Sequence, residues 1–177
     1  MIKGINRVKK IIPSRSIFAE CDNDTVFIKS LGFTRRIIEH VKIQGKGQVL
    51  KKLGELKNNL KGVGIVDEDP GIPIPKILHN QYVITNGKYG IQIFQKIDDK
   101  SKIIIQIPEN LEQWIKIIAS RDQNLKSKMI NFFKTNNNEF KENFHKNIKF
   151  IKFLEEDMAL TIEFQYVKRV IEEHFKR

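Results

Sequence analysis

A single cysteine, Cys21, is all the thiol chemistry in this chain. One thiol excludes an internal disulfide and a cysteine-based zinc cluster, and its scarcity fits a reducing compartment. Histidine is also sparse: His40, His79, His145 and His174 show neither HxxxH nor HxH spacing, which argues against a histidine metal site. No apolar run approaches the roughly 20 residues that cross a bilayer, and the first residues lack the apolar core of a secretion signal. A cytoplasmic protein without membrane association is the expectation. Acidic residues are in deficit: 21 Asp and Glu against 32 Lys and Arg leave a formal charge of +11. Such a field gathers polyanions and makes nucleic acid the favoured partner class, although a compositional bias toward Lys, Ile and Asn would produce the same excess.

What is present suits a folded domain. At 177 residues, with 40% hydrophobic and 30% charged residues, the chain can bury a sizeable core. SIFA (16–19) reads as a strand ending at Glu20. Val26, Phe27, Ile28 and Leu31 fall at helical spacing from Asp24, with Gly32 as the stop. RRIIEHVKI (35–43) reads as a second strand. Gly45-Lys46-Gly47 opens a helix striped by Val49, Leu50, Leu53, Leu56 and Leu60. GVGIV (62–66) is a strand apolar on both faces, as the interior of a parallel sheet requires. QYVIT (81–85), YGIQIF (89–94) and KIIIQI (102–107) are further strands, and 109–119 is a helix with an acidic first turn. Beyond it, 125–135 and 139–177 read as helical, with Phe140, Phe144, Ile148, Ile151 and Leu154 on one face and Val167, Val170, Ile171 and Phe175 on the last. The order strand, helix, strand, helix, strand predicts an α/β fold with a mainly parallel sheet flanked by helices, residues 1–122, and a helical extension, 123–177, packing on the same domain.

Ligands of parallel α/β sheets bind outside the carboxyl ends of the strands. Glu20 ends the first strand of this chain, and GVGIVDEDPG (62–71) places Asp67 and Asp69 at the end of another, with Glu68 turned away between them. Acids gathered at one sheet edge repel one another, and a hard divalent cation such as Mg²⁺ relieves that repulsion. The plain alternative is that each acid caps a helix or sits in a solvated turn.

FAECDNDTVFIKSL resembles the first motif of the Toprim domain, a hydrophobic strand ending in glutamate followed by Gly-x-x-Asp, and GVGIVDEDPG resembles its second, an apolar strand ending in DxD. IQGKGQVLKKLGEL between them is similar to the connection and helix of stand-alone and OLD-type Toprim proteins. The resemblance spans about residues 15 to 120 and implies a Toprim-like (Rossmann-like) fold. Glu20 matches the family glutamate, Asp24 the acid of the first motif, and Asp67 and Asp69 the DxD pair. IPENLEQW is similar to a later acid-bearing segment, which makes Glu112 the further ligand and Glu109 its understudy. Cys21 stands where the family carries glycine. The resemblance implies Mg²⁺-dependent (or Mn²⁺-dependent) phosphodiester chemistry on DNA or RNA: Glu20, Asp67 and Asp69 holding one ion, Asp24 and Glu112 supporting it or a second, and Lys46 reaching a phosphate oxygen. It further implies a setting in phage defence or nucleic-acid processing, and an ATPase partner protein. A non-catalytic module of the same fold, binding nucleic acid or a protein, is the alternative. GKG lacks the length and the GK[ST] ending of a P-loop. Nothing around Tyr82, Tyr89 or Tyr166 marks an activated phenol, and Trp114 and the phenylalanines read as core.

Overall fold

The computed structural model of the chain describes residues 14–41, 45–69, 71, 75–132, 142 and 144–176. They form strands β1 (Arg15–Ala19), β2 (Ile38–His40), β3 (Lys61–Asp67), β4 (Tyr82–Lys88), β5 (Ile91–Lys96) and β6 (Lys102–Ile107). The helices are α1 (Asp22–Ser30), α2 (Lys46–Glu55), α3 (Lys76–Gln81), α4 (Leu111–Ser120), α5 (Gln123–Phe132), α6 (Ile148–Glu156) and α7 (Ile162–Lys176). The strands make one sheet in the order β2-β1-β3-β6-β5-β4. The pairs β1–β2, β1–β3 and β3–β6 are parallel, whereas β5 runs antiparallel to both β6 and β4. The expected α/β class, with a mainly parallel sheet, flanking helices and C-terminal helices, is what the chain adopts.

Alternation along the strands assigns the two faces. Ile17, Ala19, Val63, Ile65, Ile103 and Ile105 share one core cluster with residues of α1, α4, α6 and α7. Phe18, Val66, Phe94 and Ile104 point the other way, into a smaller cluster with Val49, Leu50 and Leu53 of α2 and Leu78 of α3. Helix α2 sits unusually close to the sheet because β3 presents glycines beneath it. A Cβ on Gly62 would lie 2.4 Å from Leu53 Cδ1, and one on Gly64 would lie 2.9 Å from Val49 Cγ1.

Several elements differ from the sequence-based expectation, for local reasons. The run 35–43 is a single 3-10 turn over Arg35–Ile37 and then only three residues of strand, with Lys42 and Ile43 outside the described residues. Helix α2 stops at Glu55, so Leu56 packs from its cap and Leu60 leaves the stripe; Asn59, in the left-handed region at φ 75°, belongs to the turn that follows. In the hairpin of β4 and β5 the Asn-Gly dipeptide lies within the strand, at a register shift, while Tyr89 (φ 59°) and Gly90 (φ 82°) form the two-residue turn. Ile148 is 80% exposed and off the core stripe, which Phe144, Phe150, Phe153 and Leu154 supply instead. Phe140 lies outside the described residues. Among the described residues no helix is long and apolar enough to cross a membrane.

The chain runs outward from β1 to β2 and then back across β1 to β3. The connections therefore diverge between β1 and β3, and their carboxyl ends open the crevice where folds of this kind place ligands.

Candidate metal centre

Glu20 follows β1 and Asp67 closes β3, so these two carboxylates flank that crevice from adjacent strands. Asp67, one pleat on from Ile65, turns toward the face covered by α1 and α4. Each of those helices presents its N-terminus to the same edge and brings an acid with it. Asp24 lies in the first turn of α1, and Glu112 in the first turn of α4. Both are buried.

Local bonding explains these placements. The Asp24 carboxylate accepts from the Cys21 N–H at 2.9 Å, which ties it back over the start of α1. Cys21 itself is extended, at φ −145° and ψ 178°, a backbone any residue adopts, so cysteine in place of the family glycine costs nothing in strain here. Burial, with the charge of Asp24 adding to it, holds its thiol well above the usual range. Asn110 caps α4 by accepting from the Gln113 N–H at 2.9 Å, fixing where Glu112 begins. The loops after β3 and β6 are stitched together: the Glu68 N–H donates to the Ile107 carbonyl at 2.8 Å and the Asp69 N–H to the Glu109 carbonyl at 3.1 Å. Asp69 and Glu109 take left-handed conformations, φ 47° and 60°, where the two loops meet.

The electrostatics follow from burial and crowding. Asp67 is pushed up to about 9, first by burial and then by the charges of Asp24, Asp69, Glu20 and Glu112. Asp24 is pushed up to about 7, chiefly by burial, with the bond from Cys21 opposing and Glu20 adding to the rise. Two nearby helix N-termini favour the ionised forms, but at about 0.3–1 kcal/mol each they are the smaller effect. One Asp67 oxygen, Oδ1, is buried with no hydrogen-bond partner among the described residues. A buried carboxylate oxygen left in this way is costly, and a proton or a cation removes the cost.

The structure thus brings together five of the expected residues, Glu20, Asp24, Asp67, Asp69 and Glu112, closely enough to act on one another's charge. Glu109 is exposed and contributes its carbonyl alone to this region. Lys46, expected to reach a phosphate oxygen, is the first residue of α2; its Nζ donates to the Glu68 carbonyl at 2.6 Å and stands 3.2 Å from Asp69 Oδ2. Two further residues belong to the site that the motifs did not mark. Buried Asn23 donates from Nδ2 to Glu112 Oε1 at 2.6 Å, and its Oδ1 stands 3.2 Å from His145 Nδ1. Asn23 lies inside the first motif, but its partner is 122 positions away, a pairing that spacing cannot reveal.

Donor chemistry fits a hard divalent cation: carboxylate oxygens only, one of them orphaned, at an edge where negative charge is in excess. As placed, the side chains approach without closing on a common point, and among the described residues no three acids, histidines or cysteines are set to hold one ion. Compared with known proteins, the chain matches no family model, no curated protein and no solved structure.

Proposed function

We propose that this chain is a Mg²⁺-dependent phosphodiesterase of the Toprim type, cutting DNA or RNA. The observation that carries the reading is the crowd of five carboxylates at the divergence of β1 and β3, with the buried Oδ1 of Asp67 lacking a partner. A divalent ion at that edge would neutralise charge on the phosphate, polarise the scissile P–O bond and lower the pKa of an attacking water. Glu20, Asp67 and Asp69 would hold it, with Asp24 and Glu112 in support. In that reading Lys46 keeps Asp69 oriented by its ion pair and clamps the loop by its bond to the Glu68 carbonyl. Asn23 fixes which Glu112 oxygen is used, because its amide nitrogen occupies Oε1. The charge of +11 supports a polyanionic substrate. The test is cleavage of labelled DNA and RNA with Mg²⁺ or Mn²⁺ and none in EDTA. Asp67→Asn lowers the rate by more than about 100-fold, beyond what loss of an outer-shell contact costs; cutting that survives the change contradicts the site.

A binding module of the same fold is the second reading. The Lys46–Asp69 ion pair favours it, because it already offsets part of the negative charge without a metal. It predicts salt-sensitive retention of nucleic acid that survives both EDTA and Asp67→Asn. An ATPase partner, implied by the family resemblance, belongs to either reading and is checked by co-purification at native abundance.

A further inference from the structure

A cluster of acids repels the polyanion it is meant to cut, so a phosphodiester held there needs cations at the rim. Lys46 does not serve, because Asp69 neutralises it. The turn between β4 and β5 lies on the same sheet edge: Gln92 of β5 pairs with Gln106 of β6, which puts residues 89 and 90 beyond the end of β6. Gly90 packs so closely on Pro108 that a Cβ there would lie 3.2 Å from Pro108 Cγ. The turn is therefore braced against the loop whose Glu109 carbonyl accepts from Asp69.

Around this turn stand two aromatic–cation pairs. Lys88 Nζ lies 5.1 Å from the centroid of the Tyr89 ring, the Arg169 guanidinium 5.9 Å from that of Tyr166, and the two rings meet edge to face at 5.7 Å. Lys88 and Arg169 are exposed. Tyr166 is 5% exposed, and its hydroxyl is buried with no hydrogen-bond partner among the described residues. Burial holds that hydroxyl above its ordinary range, with the charges of Arg169 and Lys88 opposing the rise and Glu173 adding to it. Two solvent-facing cations beside a buried, orphaned O–H donor make an anion seat: a phosphate held between Lys88 and Arg169 would accept from Tyr166 once these exposed side chains part, while the cations offset its charge. Lys88 ends β4, and with β6, β5 and β4 lying in turn beside β3 it stands three strand spacings, about 14 Å, from the strand bearing Asp67. That separation suits a phosphate about two nucleotides along a strand from the one at the carboxylates.

We infer that Lys88, Arg169 and the Tyr166 hydroxyl form a backbone-phosphate subsite for a nucleic-acid strand running past the carboxylate edge. The subsite extends the proposed nuclease reading by naming how its substrate is held, and it is tested without metal or cleavage. A fluorescent single-stranded oligonucleotide is titrated in EDTA, at several salt concentrations, against the full chain and its variants. Lys88→Gln with Arg169→Gln weakens binding about tenfold or more and flattens the salt dependence by about 1.4, the share of two phosphate contacts on a single strand. Tyr166→Phe weakens it about two- to fivefold with the salt slope unchanged, since no charge is lost. The control, Lys51→Gln with Lys57→Gln, removes equal charge from α2 and the turn after it. Equal weakening by the control overturns the subsite in favour of diffuse attraction, as does failure of the wild-type chain to bind. Complete displacement by millimolar inorganic phosphate overturns it in favour of a free-anion site. Should the Arg169 variant unfold, Lys88→Glu alone decides, because Lys88 is exposed at the end of the edge strand β4 and its reversal leaves the core untouched. Variant-sensitive binding without cleavage in Mn²⁺ would retain the subsite and sink the nuclease reading.

Discussion

Asp67 carries the largest electrostatic burden at the level of single residues. An aspartate whose folded pKa of about 9 lies above its ordinary 3.8 binds its proton more tightly in the folded state. Its contribution to stability is therefore full at low pH and is lost as pH rises from about 4 toward 9; Asp24 behaves alike in the lower part of that window, between 3.8 and about 7. In EDTA the melting temperature is expected to fall between about pH 5.5 and 8.5, and Asp67→Asn to flatten the fall and raise stability at the alkaline end by about 1–3 kcal/mol. Thermal melts across that range check it; an unchanged slope in the variant would show that Asp67 is not the titrating group. Asn23 is the second residue to single out. Asn23→Ala frees Glu112 Oε1 and is expected to weaken Mn²⁺ binding about 10–100-fold in calorimetry. His145→Ala acts in the same direction but less, being one bond further removed, and a Mn²⁺ affinity indifferent to both changes would reduce the pair to packing. The acids themselves were legible in the sequence because strand-end carboxylates stand out against apolar runs. Asn23 and His145 were not, because their role is a hydrogen bond across 122 positions and neither residue type is unusual where it stands.

Among the elements, the contact of α2 with β3 is the most sharply defined. Gly62 and Gly64 are the close-approach positions, and the same contact sets the position of Lys46 at the start of α2 relative to Asp69. Gly64→Ala is expected to cost about 1–3 kcal/mol by overpacking against Val49, which is about 2–12 °C in melting temperature for a chain of this size. A double-mutant cycle sharpens the point: Gly62→Ala costs less in a Leu53→Ala background than alone, because Leu53 Cδ1 is what the new methyl meets. Strict additivity would refute the contact. The strands that cross the middle of the sheet were legible from their composition, β3 being apolar on both faces and β6 carrying a run of three isoleucines. The edge was less so. The run 35–43 is apolar enough to suggest nine residues of strand, yet among its described residues only Ile38–His40 pair, with Arg35–Ile37 taken by a 3-10 turn. The strand expected at 81–85 runs on to Lys88, and Tyr89 and Gly90, expected to begin the next strand, take the turn.

Across the whole molecule the C-terminal helices share one core with the sheet. Trp114 of α4 stacks on Phe164 of α7 at 5.5 Å, and Phe27 of α1 meets both rings edge to face. Truncation after residue 122 would remove Phe164 and expose Trp114 and Phe27, so the shortened chain is expected not to fold, and the full chain to unfold in one transition. Fluorescence of Trp114, the only tryptophan, and far-UV circular dichroism should then give coincident curves; separated midpoints would divide the chain into two units. The amphipathic pattern announced these helices, but not which face meets the sheet: Ile148, hydrophobic and at the expected spacing, points to solvent because the phenylalanines at 144, 150 and 153 take the interior. At this scale the account comes down to one edge, where five carboxylates from two strand ends, the loop beyond β3 and two helix N-termini converge in an otherwise basic protein. The most direct measurement is anomalous scattering from a crystal soaked in Mn²⁺. The account predicts a peak about 2.1 Å from oxygens of Asp67 and Glu20; a well-ordered edge with no peak there would contradict it.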